Sequence, residues 1–424
     1  MKVLLILWLA LLTLSYNPAQ ALTISEAVND ALQYNPRVHQ FLELENAAGA
    51  RADQARSPFW PRIDANYSYW RGDRDPNLDS RKLSVAETSA GYNLFNGGSD
   101  WFRLHEAKHR ASAANYQRHS IVADIVLETK QAYIEVLRTK RTVETERKSV
   151  ELLEQQRHDT QLRLEQGLVA RNDLLRVEVE LATARQILSI AEGRHEISRQ
   201  TLALALGRPI GKEEKVADLS LEPGPLEPAD ELHQVMFVNR SELKFLNSLL
   251  AAEVAGRKAV RGDLLPDVDL VLSYDRFGNN ALPETSDTDY DSESRAMVLA
   301  SWTLFSGFDT RYELVGRGHE IRARQKEIKA TEDRLTLQLQ TALEAFRVSE
   351  ENLATATTAA GQAEENYRVN ENRYQANVAT TVDLLDAQEY LTRARNEKIK
   401  ALYDLHLSAA AIERVLERGP TLPE

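Results

Sequence analysis

The chain of 424 residues contains no cysteine. This absence excludes disulfides, thiol catalysis, zinc–thiolate sites and lipid attachment at an N-terminal cysteine. An excess of positive charge is also missing, because 52 lysines and arginines stand against 64 aspartates and glutamates, for a net charge of −12. Since binding of nucleic acid needs a basic surface, the composition argues against a nucleic-acid partner.

Long apolar runs are scarce as well. The main one, Val3–Leu14, follows Lys2 and precedes Ala19-Gln20-Ala21, a small-x-small cleavage pattern. It is shorter than the roughly 20 apolar residues that a membrane-spanning helix needs. Residues 1–21 are therefore predicted to be a secretory signal peptide. No other run approaches a spanning helix, so a helical membrane protein is excluded.

Proline and internal glycine are missing from a long stretch between about Gly98 and Gln166, which is rich in strong helix formers. A helix of this length extends on the order of 100 Å. A second stretch, about Asp309 to Asn377, has a similar length. Such helices must pack along their length against other helices. The segments that follow them carry apolar residues at spacings of three and four, typical of a coiled coil: Leu174, Val177, Leu181, Ala184, Leu188 and Ala191, then Leu384, Ala387, Leu391 and Ala394.

The chain does contain an internal repeat. Arg163-Leu164-Glu165-Gln166-Gly167 and Asp173-Leu174-Leu175 recur 210 positions later, and Pro61-Arg62-Ile63-Asp64 recurs 205 positions later. The predicted organisation is therefore duplicated. A signal peptide at 1–21 precedes the first repeat at 22–207, which contains a β-hairpin at about 62–95 and a helical tip at 166–172. A linker at 208–229 leads to the second repeat at 230–417, which contains a β-hairpin at about 267–305 and a tip at 376–382. A tail follows at 418–424.

Four segments alternate apolar and polar residues, the pattern of β-strands with one apolar face. Each has about the ten residues that a tilted strand needs to cross a bilayer. The polar loops Arg71–Lys82 and Asp275–Arg295 are expected to be exposed. The apolar faces comprise Ile63, Ala65, Tyr67 and Tyr69; Ala86, Ala90, Tyr92 and Leu94; Val268, Leu270, Leu272 and Tyr274; and Ala296, Val298, Ala300, Trp302 and Leu304.

Four strands cannot close a barrel, and an open sheet edge in hydrocarbon leaves unpaired backbone groups. Two alternatives follow: a soluble sandwich, or strands pooled by several chains. The export signal and the one-sided apolarity favour pooling, and three copies would give twelve strands.

Together these features resemble the TolC family of outer-membrane efflux and type I secretion channels, over essentially the whole mature chain. The resemblance implies an α+β, mainly α, fold and a homotrimer with a 12-stranded outer-membrane β-barrel, four strands per chain. This barrel would be continuous with a long periplasmic α-helical coiled-coil barrel, and Ala205–Ala229 would contribute to a belt around it. The matching stretches include Leu22-Thr23-Ile24-Ser25-Glu26-Ala27-Val28, Leu94-Phe95-Asn96-Gly97-Gly98, Gln166-Gly167-Leu168-Val169-Ala170 and Thr381-Val382-Asp383-Leu384-Leu385-Asp386-Ala387.

The resemblance further implies a passive exit duct in the outer membrane that extends into the periplasm, with no enzymatic activity, cofactor or metal. His105 and His109 lie four apart but have no third ligand in a metal-binding motif. The implied partners are outer-membrane lipid, a periplasmic adaptor (membrane fusion) protein and an inner-membrane ABC or proton-driven transporter. The cargo, small toxic compounds or a secreted protein, stays open. The alternative from another class is a non-conducting periplasm-spanning tether or stalk.

By the same resemblance, a gate at the periplasmic end would involve Tyr374, Asp383 and Asp386 from the second repeat and Asp173 from the first. Ala379 occupies the position of the expected gate arginine, and Arg171 is the candidate replacement. Helix capping is an alternative role for Asp173 and Asp383, whereas Asp386 lies too far into its helix to cap it. The tips would contact the adaptor, and they also fit ordinary helix–helix turns: Gly167, Leu168 and Val169, then Asn377, Val378 and Ala379.

Overall fold

The computed structural model describes residues 21–72, 82–211, 213–219, 223–224, 227–284 and 291–418. All but the last residue of the predicted signal peptide lies outside the described residues, as do parts of both predicted hairpin loops, part of the linker and most of the tail. In the described residues the helices are α1 Ile24–Tyr34, α2 Pro36–Gln54, α3 Ser99–Glu165, α4 Arg171–Leu206, α5 Ala229–Asn239, α6 Ser241–Gly262, α7 Asp309–Gln375 and α8 Thr381–Leu416, and the strands are β1 Arg62–Arg71, β2 Lys82–Asn96, β3 Asp267–Gly278 and β4 Ser292–Ser301.

The helices of the second half begin at the offsets of the sequence repeat. α5 and α6 begin 205 positions after α1 and α2, and α7 and α8 begin 210 positions after α3 and α4. The offset changes between β3 and β4, so 15 residues connect the paired Arg276 and Ser292, whereas 10 residues connect the paired Arg71 and Lys82. The eight positive φ angles in the described residues form four pairs at the offset of 210: Gly97 and Gly307, Gly98 and Phe308, Gly167 and Asn377, and Gly207 and Glu417.

Side-chain contacts are duplicated too. Arg185 bonds Glu154 at 2.6 Å between α4 and α3, and Arg395 bonds Glu364 at 2.9 Å at the equivalent place between α8 and α7. We call α4 and α8 the return helices. At the C-terminal end of each, the side chain of a residue just after a short helix donates a hydrogen bond to a carbonyl group of the last turn. Asn35 bonds the Ala205 oxygen at 2.8 Å, and Arg240 lies 3.4 Å from the equivalent Val415 oxygen. These donors satisfy carbonyl groups that a helix end leaves without intrahelical partners.

The chain divides into two compact units, each with segments from both halves. The first comprises the described residues up to Gln40, His119–Arg240 and those from Asp333 onward. Its core brings Leu137, Leu202 and Leu206, all fully buried, against Tyr133, which is 1% exposed. The Tyr133 hydroxyl lies 2.9 Å from the Leu22 oxygen and 2.6 Å from the Ala217 oxygen. It therefore ties α3 to the N-terminal segment and the linker, which themselves pair in parallel through Leu22 and Val216.

Tyr133 gives a pH-dependent prediction. Burial, reinforced by the negative charges of Asp218 and Glu26, raises the pKa of Tyr133 to about 12. An unfolded chain loses this proton near pH 10, so the stabilising contribution is complete below about pH 10 and is lost as the pH rises to about 12. The loss amounts to about 3 kcal/mol. We expect the urea midpoint, followed by circular dichroism, to fall more steeply between pH 9.5 and 11.5 in the natural protein than in Tyr133→Phe.

The other tyrosines titrate in both proteins, so the difference in slope isolates Tyr133. The variant also loses a buried hydrogen bond, which costs about 1–3 kcal/mol at neutral pH. Only the slope therefore tests the pKa, and equal slopes would contradict the prediction.

The second unit comprises Phe41–Arg118 and Ser241–Glu332, and it contains the sheet. The four strands are antiparallel in the order β1-β2-β3-β4, so β1 and β4 are its edges. Large apolar side chains of neighbouring positions in β4 are exposed, with Met297 51%, Val298 63% and Leu299 48% exposed. Among the described residues, the sheet thus offers apolar side chains on both faces and two edges without a neighbouring strand. In the described part of the chain, none of the helices combines the length and hydropathy needed to span a bilayer.

The sheet corrects the expected bounds of the fourth strand and of the loops. The fourth strand was predicted to include Trp302 and Leu304, but β4 ends at Ser301. Ser301 pairs with Asp267, which is the first residue of β3. The ladder between β3 and β4 therefore ends at Ser301. The predicted loops are also shorter than expected, because Arg71 and Lys82 belong to strands and β3 continues to Gly278.

Candidate functional site

The predicted functional residues lie in the first unit, at the two turns where a long helix ends and its return helix begins. α3 ends with the Gly167 N–H bonded to the Leu164 oxygen and the Leu168 N–H bonded to the Arg163 oxygen, both at 2.9 Å. The second turn repeats this pattern at Asn377 and Val378, at 3.0 and 2.8 Å. Both are Schellman motifs, in which the residue after the helix adopts a left-handed conformation, with φ +71° at Gly167 and +59° at Asn377.

Each turn presents one apolar side chain at its apex. Leu168 is 60% exposed and Val378 is 66% exposed, and they occupy equivalent positions in the two repeats. The next residues, Val169 and Ala379, are half-buried. Hence the two turns offer similar small apolar surfaces, and the third predicted tip residue of each lies partly inside.

The carboxylates of Asp173 and Asp383 both accept hydrogen bonds at the N-terminal ends of the return helices α4 and α8. The Thr380 N–H donates to the Asp383 carboxylate at 2.8 Å, and the Asp383 N–H donates to the Thr380 hydroxyl at 3.2 Å, forming a capping box. The Ala170 N–H donates to the Asp173 carboxylate at 3.0 Å. The aspartates stand at the third helical position rather than at the cap itself, because Thr380 and Ala170 precede the helices as their N-caps.

The capping contacts affect the charge of Asp383. The backbone N–H of Thr380, followed by its hydroxyl, holds the pKa of Asp383 below its ordinary value, and Arg373 adds a smaller effect in the same direction. The side chain therefore stays ionised under mildly acidic conditions. Asp386 lies one turn further along α8 and is exposed. Arg171, the first residue of α4, is also exposed.

Tyr374 is buried, at 4% exposure, and its contacts join the two repeats. Its hydroxyl lies 3.4 Å from the Thr160 hydroxyl of α3. The Arg163 guanidinium stacks over the Tyr374 ring at 4.4 Å from the ring centroid and donates to the Tyr374 backbone oxygen at 3.2 Å. Arg163 also donates to the Asn377 side-chain oxygen at 2.8 Å. We call Thr160, Arg163, Tyr374 and Asn377 the tip latch.

The chemistry of the tip latch suits a contact that holds two helix ends together. A guanidinium at the C-terminus of α7 faces the negative end of the helix dipole and carbonyl groups without intrahelical partners. The same guanidinium gains from the aromatic face of Tyr374. Further along, Gln388 of α8 donates to the Ser149 oxygen at 3.3 Å, and Asn396 donates to Glu146 at 2.6 Å. Polar contacts thus link α3 with the second repeat over several turns.

A cavity of about 280 Å³ borders the tip latch. Asp159 and Glu371 line it together with Arg163 and Tyr374.

Sequence reasoning identified Tyr374 and Asn377 but missed Thr160 and Arg163. Arg163 recurs as Arg373 in the repeat, and this recurrence was a usable signal for its importance. No pattern in the sequence shows that the end of α3 lies beside the end of α7, so the partner of Tyr374 was out of reach. Across the described residues, no group of histidine and carboxylate side chains has the arrangement of a metal site.

Comparison with known proteins identifies the class. The model of the outer membrane efflux protein family matches residues 27–208 and 234–417, so the chain belongs to that family. This membership confirms the expected outer-membrane location and channel class, which is non-enzymatic.

Individual relatives are distant. The chain is similar to protein CyaE of Bordetella pertussis, with 26% identity over 314 residues that cover 72% of this chain and 65% of CyaE. It is 24% identical to the outer membrane protein TolC of Vibrio cholerae, over 93% of this chain and 90% of TolC. The solved structure of the outer-membrane channel OprN superposes with a TM-score of 0.82 at 18% identity, covering 93% of this chain and 90% of OprN. The expected fold class, mainly helical with a four-stranded sheet, is thereby confirmed.

Proposed function

We propose that the protein is the outer-membrane exit duct of a tripartite efflux or type I secretion system, built as a homotrimer. The observation that carries the proposal is the sheet with two open edges. An unpaired strand edge in hydrocarbon costs several kcal/mol for each unsatisfied backbone group. Three copies would pair all edges in one closed wall of twelve strands, and the family membership supports such a channel.

We further propose that the helical turns form the periplasmic gate. The tip latch closes the junction between the two repeats of one chain. The rings of carboxylates contributed by Asp383 and Asp386 in three copies then make the narrow end attractive to cations. Asp173 and Arg171 stand at the equivalent start of α4 and belong to the same ring of residues.

The partners in this proposal are a periplasmic adaptor and an inner-membrane transporter. The exposed Leu168 and Val378 are the apolar contacts that the adaptor would cover. The cargo is set by the inner-membrane partner, an ABC or a proton-driven transporter, so the same duct serves small toxic compounds or a secreted protein.

The first test is conductance in planar bilayers. Purified protein is expected to form discrete, cation-selective channels, whereas a non-conducting tether would leave the bilayer sealed. The double variant Asp383→Asn with Asp386→Asn removes two negative charges per chain. Asparagine at 383 keeps a side-chain oxygen that can accept the capping hydrogen bonds. We expect the reversal potential in a KCl gradient to move toward zero.

The matched control is Glu227→Gln. Glu227 pairs with Arg418 at 2.7 Å. Arg418 follows the C-terminus of α8, whereas the proposed gate lies at the N-terminus of that helix. This variant is expected to keep the natural selectivity. An unchanged reversal potential in the double variant would remove Asp383 and Asp386 from the conducting path.

A further inference from the structure

A cavity of about 480 Å³ lies in the first unit, lined by side chains of α3, α4 and α8. Ile187 and Ile190 of α4 form its apolar wall, and both are exposed. The rest of the lining is mainly polar or charged, and it includes Thr139 and Glu146 of α3 and Lys400 of α8. Sites for small molecules combine an apolar wall with a few polar groups in the same way.

Asn396 of α8 brings an unpaired hydrogen-bond acceptor to this lining. Its amide nitrogen donates to the carboxylate of Glu146, which is buried, at 2.6 Å. Because an ionised carboxylate can only accept, it holds the amide in this orientation. The Asn396 Oδ1 atom is buried and has no hydrogen-bond partner among the described residues. An N–H or O–H group bound in the cavity would satisfy it.

Positive charge is in excess in the rest of the lining. Arg194 of α4 and Lys400 of α8 are exposed, and in the part of the chain that the structure describes neither forms an ion pair. Arg138 is already paired with Glu135 at 2.7 Å. Lys400 follows Asn396 on α8 by about one helical turn, so an unpaired cation and the unpaired acceptor lie close together along the helix.

We propose that the cavity binds an amphipathic organic anion that carries a hydrogen-bond donor. The anionic group contacts Arg194 and Lys400 through charge-assisted hydrogen bonds. The apolar body covers Ile187 and Ile190, and the donor bonds the Asn396 oxygen. Because the anionic group and the donor have different partners, the ligand binds in one orientation.

The cavity faces the inside of the duct wall, a placement that rests on the proposed function. α3 contacts α8 through Ser149 and α4 through Glu154. At about 100° per residue these two positions lie about 140° apart around α3, which leaves a wider arc on the other side. Glu146 and Thr139 lie within the narrower arc, whereas Tyr133, which bonds the linker, lies in the wider one.

In a closed ring of helices, the narrower angle between the two neighbours of a helix faces the inside. The cavity therefore opens toward the lumen of the duct, and the linker lies outside. At about 1.5 Å per residue, residues 135–146 lie roughly 30–45 Å before the end of α3 at Glu165. The cavity is thus a site separate from the proposed gate.

Binding to the purified protein in detergent tests the site without a channel. The test ligand is N-acetyltryptophan, which has a carboxylate, an indole N–H and an apolar ring. N-acetyltryptophanamide has a similar shape but no charge. In calorimetry we expect saturable binding of the acid, about tenfold to a hundredfold tighter than that of the amide, because a hydrogen bond to a charged group contributes about this factor.

Lys400→Gln removes one of the two cations. It is expected to bind the acid about tenfold more weakly and the amide as the natural protein does. The matched control is Lys398→Gln, since Lys398 is exposed on α8 and does not line the cavity. This control is expected to keep both affinities. Asn396→Leu is expected to bind both compounds more weakly, because both carry the donor.

Equal affinities of the natural protein for the acid and the amide would overturn the anion site. Absence of saturable binding of either compound would overturn it too. An equal loss of acid binding in Lys398→Gln and Lys400→Gln would have the same meaning. Both lysines are exposed, so neither substitution disturbs the packing of the helices.

Single-channel current in planar bilayers tests the placement in the lumen. N-acetyltryptophan is expected to reduce the current through natural channels, and to reduce the current through Lys400→Gln channels much less. Full current in channels of a protein that binds the acid in detergent would overturn the lumenal placement. A protein that binds the acid but forms no channels would overturn the proposed duct, whereas the binding site itself would stand.

Discussion

Arg163→Ala is expected to open the channel. The substitution removes the bonds to the Asn377 side chain at 2.8 Å and the Tyr374 oxygen at 3.2 Å, together with the stacking on the tyrosine ring. A hydrogen bond to a charged group contributes about 1.5–3 kcal/mol, which corresponds to a change of about tenfold to a hundredfold in a closed-to-open ratio. The open fraction, recorded from single channels in planar bilayers, is the measurement.

Arg368→Ala is the control for this prediction. Arg368 is exposed on α7 and pairs with Glu365 of the same helix at 2.6 Å. It is expected to leave the open fraction unchanged. If Arg163→Ala channels form normally and have the same open fraction as the natural protein, the tip latch does not keep the gate closed.

Asn377→Gly separates loss of the tip latch from damage to the turn. Glycine keeps the left-handed backbone, as Gly167 does in the first repeat, but removes the oxygen that Arg163 bonds. We expect an intermediate increase of the open fraction, because the contacts of Arg163 with Tyr374 remain.

Gly207→Ala is expected to lower the stability strongly. Gly207 ends α4 with φ +72°, and a Cβ there would lie 2.4 Å from the Tyr34 oxygen and 2.7 Å from the Asn35 Cα. Both neighbours are backbone atoms, so the junction of α1 and α4 would have to move. A strained backbone with such a clash costs several kcal/mol. Thermal unfolding in detergent, followed by circular dichroism, is expected to show a large fall in Tm.

Gly193→Ala provides the matched control, since it lies within α4 and a Cβ there meets nothing within 4 Å. Alanine is favoured over glycine in a helix interior by about 0.5–1 kcal/mol, so this variant is expected to unfold at the same or a slightly higher temperature. A Gly207→Ala protein as stable as Gly193→Ala would mean that the close approach at the end of α4 is dispensable.

The long helices were predictable because local chemistry determines them. The stretch from about Gly98 to Gln166 lacks proline and internal glycine, and α3 runs from Ser99 to Glu165. The repeat itself then predicts a second helix of equal length, and α7 has the same 67 residues. Resemblance to known sequences supplied the fold class, which the family match and the superposition on OprN bear out.

The parts that sequence reasoning missed depend on which segments become neighbours. The alternation of apolar and polar residues predicted that the fourth strand continues to Leu304. A strand ends where its partner does, however, and β3 begins opposite Ser301. Arg163 reaches the second repeat across 211 positions of sequence to contact the Tyr374 oxygen. Such contacts follow from packing between distant segments, which no local pattern encodes.

The unequal lengths of the two hairpin connections have a consequence for the mouth of the assembled duct. Going around the circumference of the proposed trimer, shorter and longer connections would alternate, with three of each. The ring of connections would have threefold symmetry, although the proposed wall would contain six hairpins. A molecule that docks on this ring by contacting the longer connections would therefore find three equivalent positions, not six.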